Sequence, residues 1–159
     1  MLRLGLLVAV VTLALDQASK WYVKDVLGVE AGGELVPILP FLDLVGVRNT
    51  GISFGMLQSG STVTVWLLIG FAVVVTAGLV VWIARARSAL LAVALGLAVG
   101  GAIGNVIDRL RWGWVYDFLF VHLGAFDWWP VFNVADAAIV AGFIGIILDG
   151  LFARRRQAI

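Results

Sequence analysis

Two segments, Asn105-x-x-Asp108 and Asn133-x-x-Asp136, repeat an amide and a carboxylate at a spacing that puts both side chains on one face of a helix. Amides can orient what carboxylates activate. Two more acids stand out: Asp16, four residues before Lys20, and Asp117, within Trp114-Val115-Tyr116-Asp117-Phe118-Leu119-Phe120. Neighbouring charge divides the set. Asp16 has Lys20 one helical turn away, and Asp108 has Arg109 beside it and Arg111 close, so both should stay ionised in clamping or structural roles. Asp117 and Asp136 have no Lys or Arg within five positions and sit among aromatic and aliphatic residues. Desolvation and mutual repulsion should keep a proton on at least one of them. A protonated acid beside an ionised base is the arrangement that hydrolyses a bond with water. Asp127 also lacks a nearby cation, but beside Trp128 and Trp129 in a loop it reads as a solvated acid and the weaker candidate.

Other chemistries are poorly supplied. The chain has no cysteine, which excludes disulfides, thiolate metal sites and a cysteine nucleophile. Its one histidine, His122, lies in an aromatic stretch where packing explains it and offers too few ligands for zinc. Ser19, Ser53, Ser59, Ser61 and Ser88 would have to share that one imidazole as a base, and Ser19 and Lys20, adjacent on a helix, point apart. No metal and no cofactor is expected. Eleven basic and ten acidic residues leave a net charge of +1, too balanced for a nucleic-acid footprint.

The elements that position these residues are membrane spans. Of 159 residues, 62% are apolar and 13% charged, and the mean hydropathy is +1.07, which excludes an ordinary soluble fold. Apolar runs at 2–21, 63–83, 89–107 and 131–152 each approach the roughly 20 residues a helix needs to cross a bilayer. The expected class is a membrane all-α protein, one domain over 1–159, with its chemistry at the helix ends. The first run continues into Asp16-Gln17-Ala18-Ser19-Lys20 without a small-x-small cleavage site, so it reads as a span and not as a signal peptide. Four spans bring both termini to one side. Arg3, Arg85, Arg87 and Arg154 to Arg156 mark that side as cytoplasmic, while Lys20, Lys24, Arg48, Arg109 and Arg111 on the other are mixed with nearly all the acids. Every candidate acid then falls near the outer leaflet. There the segment 24–62 carries two short strand patterns, 35–39 and 41–47, which suggest a small sheet. The aromatic segment 108–130 is expected to rest on the headgroup layer opposite that sheet and to serve as a lid. Trp21, Tyr22, Trp66, Trp112, Trp114, Tyr116, Trp128 and Trp129 read as an aromatic belt. Gly96, Gly100 and Gly104 form a small-residue stripe for close helix packing.

The residues now resemble a known family, the bacterial lipoprotein signal peptidases or signal peptidase II. Five blocks match in order: Asp16-Gln17-Ala18-Ser19-Lys20, Asn49-Thr50-Gly51-Ile52-Ser53-Phe54-Gly55, Gly100 to Arg109, Val115-Tyr116-Asp117-Phe118 and Phe132-Asn133-Val134-Ala135-Asp136. Each block alone is weak, and the ordered set is specific. Ile52 and Ser53 depart from the alanines common in the family. The resemblance implies a multi-pass aspartic endopeptidase of the bacterial inner membrane with its active site facing the periplasm. It implies cleavage of the signal peptide from diacylglyceryl-modified prolipoproteins, with Asp117 and Asp136 as catalytic dyad. Supporting or substrate-contacting roles follow for Asp16, Lys20, Asn49, Gly101, Asn105, Asp108, Arg109 and Asn133. No metal is implied; inhibition by globomycin-type cyclic peptides is, and the expected partners are prolipoproteins and membrane lipids around a monomer. Judged on the residues alone, the alternative is a small proton-coupled transporter or channel component with an aspartate relay. Such a relay needs acids along the spans, where the sequence supplies only Asp149, near the cytoplasmic end and close enough to Arg154 to pair.

Overall fold

The computed structural model, described for residues 1–51, 61–122 and 130–157, contains four helices long and apolar enough to cross a membrane. Helix α1 spans Leu2–Trp21 and continues as a π-helical turn, Tyr22–Val26. Strands β1, Val36–Leu39, and β2, Leu42–Asn49, follow; then come α2, Thr62–Arg85, and α3, Ala89–Trp112. Strand β3, Val115–Val121, leads to α4, Val134–Gln157.

Local chemistry sets the ends. Ser61 and Ser88 cap α2 and α3 by accepting from the N–H groups of Thr64 and Leu91. Helix α3 runs past its apolar stretch to Trp112 and stops at Gly113, whose φ of 78° is a left-handed conformation open to glycine at little cost; its N–H closes the turn on the Arg109 carbonyl. That extra turn keeps Asp108 and Arg109 helical.

Helix α3 is the axle, packed by α1, α4 and α2, while Phe71, Val74 and Phe143 on the outer helices stay exposed as lipid-facing residues do. The glycines let the axle be approached. A Cβ at Gly96 would overlap the Gly5 carbonyl of α1, one at Gly100 the Ala9 carbonyl, and one at Gly101 the Ala135 carbonyl of α4. Gly142 and Gly145 of α4 receive Ala94 and Ala98 of α3 in the same way. At the end holding both termini, Ser88 donates to Asp149. Asp149 on α4 thus faces the start of α3, and the side chain of Arg154, its expected partner, lies outside the described residues.

The sheet, order β1-β2-β3 and antiparallel throughout, caps the opposite end. Its third strand comes from the aromatic segment, which corrects the picture of a sheet facing a separate aromatic lid. The missing alternation explains the difference: Val115, Tyr116, Asp117 and Phe118 are all buried, and their backbone needs the β2 ladder once out of water. Val23, Val29, Leu44, Tyr116 and Phe118 form the core that seats the sheet on α1. Tyr116 therefore leaves the belt. It is fully buried, its hydroxyl donates to the Val29 carbonyl, and burial, with Asp25 nearby, pushes the phenol up to about 12. Trp21, Tyr22 and Trp66 are exposed as a belt requires, whereas Trp112 and Trp114 stack on each other under Lys24 and Arg48. Trp128 and Trp129 lie outside the described residues.

Candidate active site

The C-terminal turns of α1 and α3, the start of α4 and the ends of β2 and β3 meet beneath the sheet. Asn133 stands at the junction as the cap of α4. Its Oδ1 accepts from the Asp136 N–H at 2.9 Å, and the Asp136 carboxylate accepts from the Asn133 N–H at 3.3 Å. This is a reciprocal capping box. The same Asn133 donates its Nδ2 to Asp117 at 2.6 Å, so one residue holds the carboxylate of β3 through its side chain and that of α4 through its backbone N–H. The repeated Asn-x-x-Asp spacing thus has a different meaning in each place: a cap at 133–136, but within a helix at 105–108, where both side chains meet Lys20 and Asn105 alone also reaches Asp136.

Asp117 receives a second donor, Asn49 Nδ2, at 2.9 Å. Register explains it: Asn49 pairs with Val115 across the ladder, which makes Asp117 its diagonal neighbour on the same face. Burial and the charge of Asp136 push the Asp117 carboxyl up to about 7, against the pull of the Asn49 and Asn133 hydrogen bonds and of Lys20. Asp136 receives Asn105 Nδ2 at 2.9 Å. The two acids that the sequence set apart from cations are therefore brought together, each held by amides.

The other acids form a layer behind them. Lys20, 2% exposed, bonds Asp16 at 2.9 Å, Asp108 at 2.7 Å and Asn105 Oδ1 at 3.3 Å. Asp16 also accepts from the Ala135 N–H at 2.9 Å, a second anchor for the first turn of α4. A Cβ at Gly104 would overlap the Asp16 carboxylate, so the glycine stripe admits a site residue as well as a helix. Asp108 feels the charge of Arg109, as expected, but takes its direct ion pair elsewhere. Its partner is Lys20, not Arg109 or Arg111, because successive residues on a helix point about 100° apart and Asp108 faces α1. Arg109 turns the other way and donates to the Gly51 carbonyl at 2.8 Å, and Arg111 reaches Gln17. Gln17 has no role in the sequence reading, yet it bridges Asp16 and Asp108 at 3.1 Å each; its place beside Asp16 in a block of polar residues was the available signal. Gly101 contributes by having no side chain, which lets the start of α4 approach.

A cavity of about 380 Å³ opens beside these groups. Asn49, Asn105, Arg109 and Asp136 line its polar end, while residues such as Phe71 of α2 and Val140 of α4 line its apolar remainder. Both helices pack on α3 more than on each other, which leaves a groove along the axle. His122 is elsewhere, 2.9 Å from Asp43 on the adjoining strand. Asp127, Gly124 and the loop from Ile52 to Gly55 lie outside the described residues. Among the described residues no cluster of His, Cys, Asp and Glu could hold a metal ion.

Comparison with known proteins gives the chain's relatives. A family model described as signal peptidase (SPase) II matches residues 8–152. The chain is 50% identical over 154 residues to a lipoprotein signal peptidase of Methylorubrum extorquens (strain PA1), covering 94% of this chain and 86% of that one. It is 44% identical to one of Caulobacter vibrioides (strain ATCC 19089 / CIP 103742 / CB 15), with 94% and 88% covered. A bacterial membrane enzyme solved in meso at 2.3 Å resolution superposes with a TM-score of 0.83 at 28% identity, covering 96% of this chain and 90% of that one.

Proposed function

The chain belongs to the signal peptidase II family, and from that premise we propose that Asp117 and Asp136 are the carboxylates with which it cleaves the signal peptide from a prolipoprotein. The protein is a membrane aspartic endopeptidase; the transporter reading finds no support, because the described acids gather at the helix ends. The observation that carries the dyad is that Asn133 bonds Asp117 and caps Asp136 at once, beside an apolar groove.

The pair shares one proton. The ionised member takes a proton from water as its oxygen attacks the scissile carbonyl carbon, and the protonated member gives its proton to the carbonyl oxygen. Collapse of the tetrahedral diol breaks the C–N bond, and the amine leaves with the returned proton. Asn49, Asn105 and Asn133 hold the carboxylates, and Asp16, Lys20, Asp108 and Gly101 hold the helices that carry them. Arg109 fixes the Gly51 carbonyl at the mouth of the groove.

The substrate is a precursor whose cysteine carries a diacylglyceryl group. Its signal helix lies in the groove between α2 and α4, and its acyl chains remain in lipid, so the membrane supplies orientation. The site faces the periplasm from the inner membrane, since Arg3, Arg85 and Arg87 collect at the opposite end. Globomycin-type cyclic peptides bind the same groove, and the enzyme acts as a monomer. The test is cleavage of a purified lipidated precursor. Asp117→Asn and Asp136→Asn should each reduce turnover to background while the protein stays folded, and Asp127→Asn should remain active. Substantial cleavage by either dyad variant removes that residue from the mechanism.

A further inference from the structure

Lys20 makes one contact more than ion pairing requires. Between Asp16 and Asp108 its charge is already met, yet its Nζ also reaches Asn105 Oδ1. An ammonium has donors only, so the amide atom facing it must be the oxygen. Asn133 Nδ2 approaches that same oxygen at 3.2 Å, and Asn105 Nδ2 is thereby turned toward Asp136. A flipped amide would set its oxygen against a carboxylate.

We propose that Lys20 is a positioning residue for the aspartate pair: its ammonium dictates which way the Asn105 amide faces, and through that amide it holds Asp136 in place. The proposal rests on the assignment of Asp117 and Asp136 as the dyad. The charged groups around Lys20 are Asp16 on its own helix, Asp108 on α3, Asp136 on α4 and Asp117 on β3. Its charge also reaches Asp117, whose ionised form it favours.

Cleavage of a diacylglyceryl-modified precursor is measured from pH 5 to 9 alongside thermal unfolding, for the wild type, Lys20→Met and Lys20→Arg. Lys20→Met should lower kcat by about 100-fold, the loss typical of a misplaced catalytic group, with KM little changed. It should also move the alkaline limb to higher pH, because losing a nearby cation disfavours the carboxylate. Lys20→Arg should return the limb to its wild-type position and recover part of kcat. Removing a cation from two buried carboxylates can unfold a protein. Lys20→Met is therefore also made in an Asp108→Asn background, where it strands only Asp16, and is compared with Asp108→Asn alone for the same two changes. A folded Lys20→Met protein with the wild-type limb, or with kcat retained, overturns the proposal. A wild type with no alkaline limb, or active dyad variants, would instead sink the dyad itself.

Discussion

Asn49 and Asn133 each aim an amide N–H at Asp117, and both favour its ionised form. The pair needs one proton to work, and with Asp117 raised to about 7 that proton is lost as pH rises through about 7. Cleavage should therefore decline on the alkaline side of neutrality. Asn49→Ala removes one donor to the carboxylate, so the proton is held more tightly and the alkaline limb should move up, by about one pH unit or less. A rate profile measured on both proteins decides it; a limb that moves down would show that Asn49 serves the protonated form. Stability follows the same sign. A folded value above the unfolded 3.8 means that Asp117 favours the fold fully below that pH and loses its contribution as pH rises to about 7.

Helix α4 begins where it does because Asn133, Asp136 and Asp16 satisfy its first N–H groups. Asn133→Ala should cost about 0.5–2 kcal/mol of stability, the usual loss for a cap, while activity falls further than that because the same amide holds Asp117. Thermal unfolding and turnover measured together separate the two. The approach of α4 to α3 depends on Gly101, where a Cβ meets backbone that cannot swing aside. Gly101→Ala should destabilise by about 1–3 kcal/mol, the cost of overpacking. Gly78→Ala on α2, where nothing lies within 4 Å of the added Cβ, should be tolerated. Equal effects would mean that helix propensity, not interhelical space, governs these glycines.

The molecule as a whole is an axle with three helices around it and a sheet over one end, and the groove between α2 and α4 is the space those three leave. Ala102 lines it. Ala102→Phe should fill the channel and raise KM for the lipidated precursor more than it lowers kcat, the pattern of lost ground-state binding. Orientation is testable with single cysteines, because the chain has none. Glu34→Cys, on the sheet side, should react with an impermeant thiol reagent added outside spheroplasts, and Arg87→Cys, exposed at the other end, only after lysis. The reverse pattern would turn the site to the cytoplasm.

Composition and run length were enough to give four membrane helices, and charge neighbours set Asp117 and Asp136, together with Asp127, apart from Asp16 and Asp108, because burial of a charge is costly wherever the chain goes. The strand patterns near 35–39 and 41–47 gave β1 and β2, since period and β-branching are local properties. Pairing was not local. That β3 joins the sheet, that Asp108 pairs with Lys20 of α1 instead of its neighbour Arg109, and that Gln17 bridges two acids all depend on which helix faces meet. The same holds for Asn133, whose spacing to Asp136 was plain in the sequence. Only the meeting of α4 with β3 put Asp117 within reach of its amide. Spacing along one element fixes which residues share a face; contact between elements is decided by packing, here by which glycines let backbones close on α3.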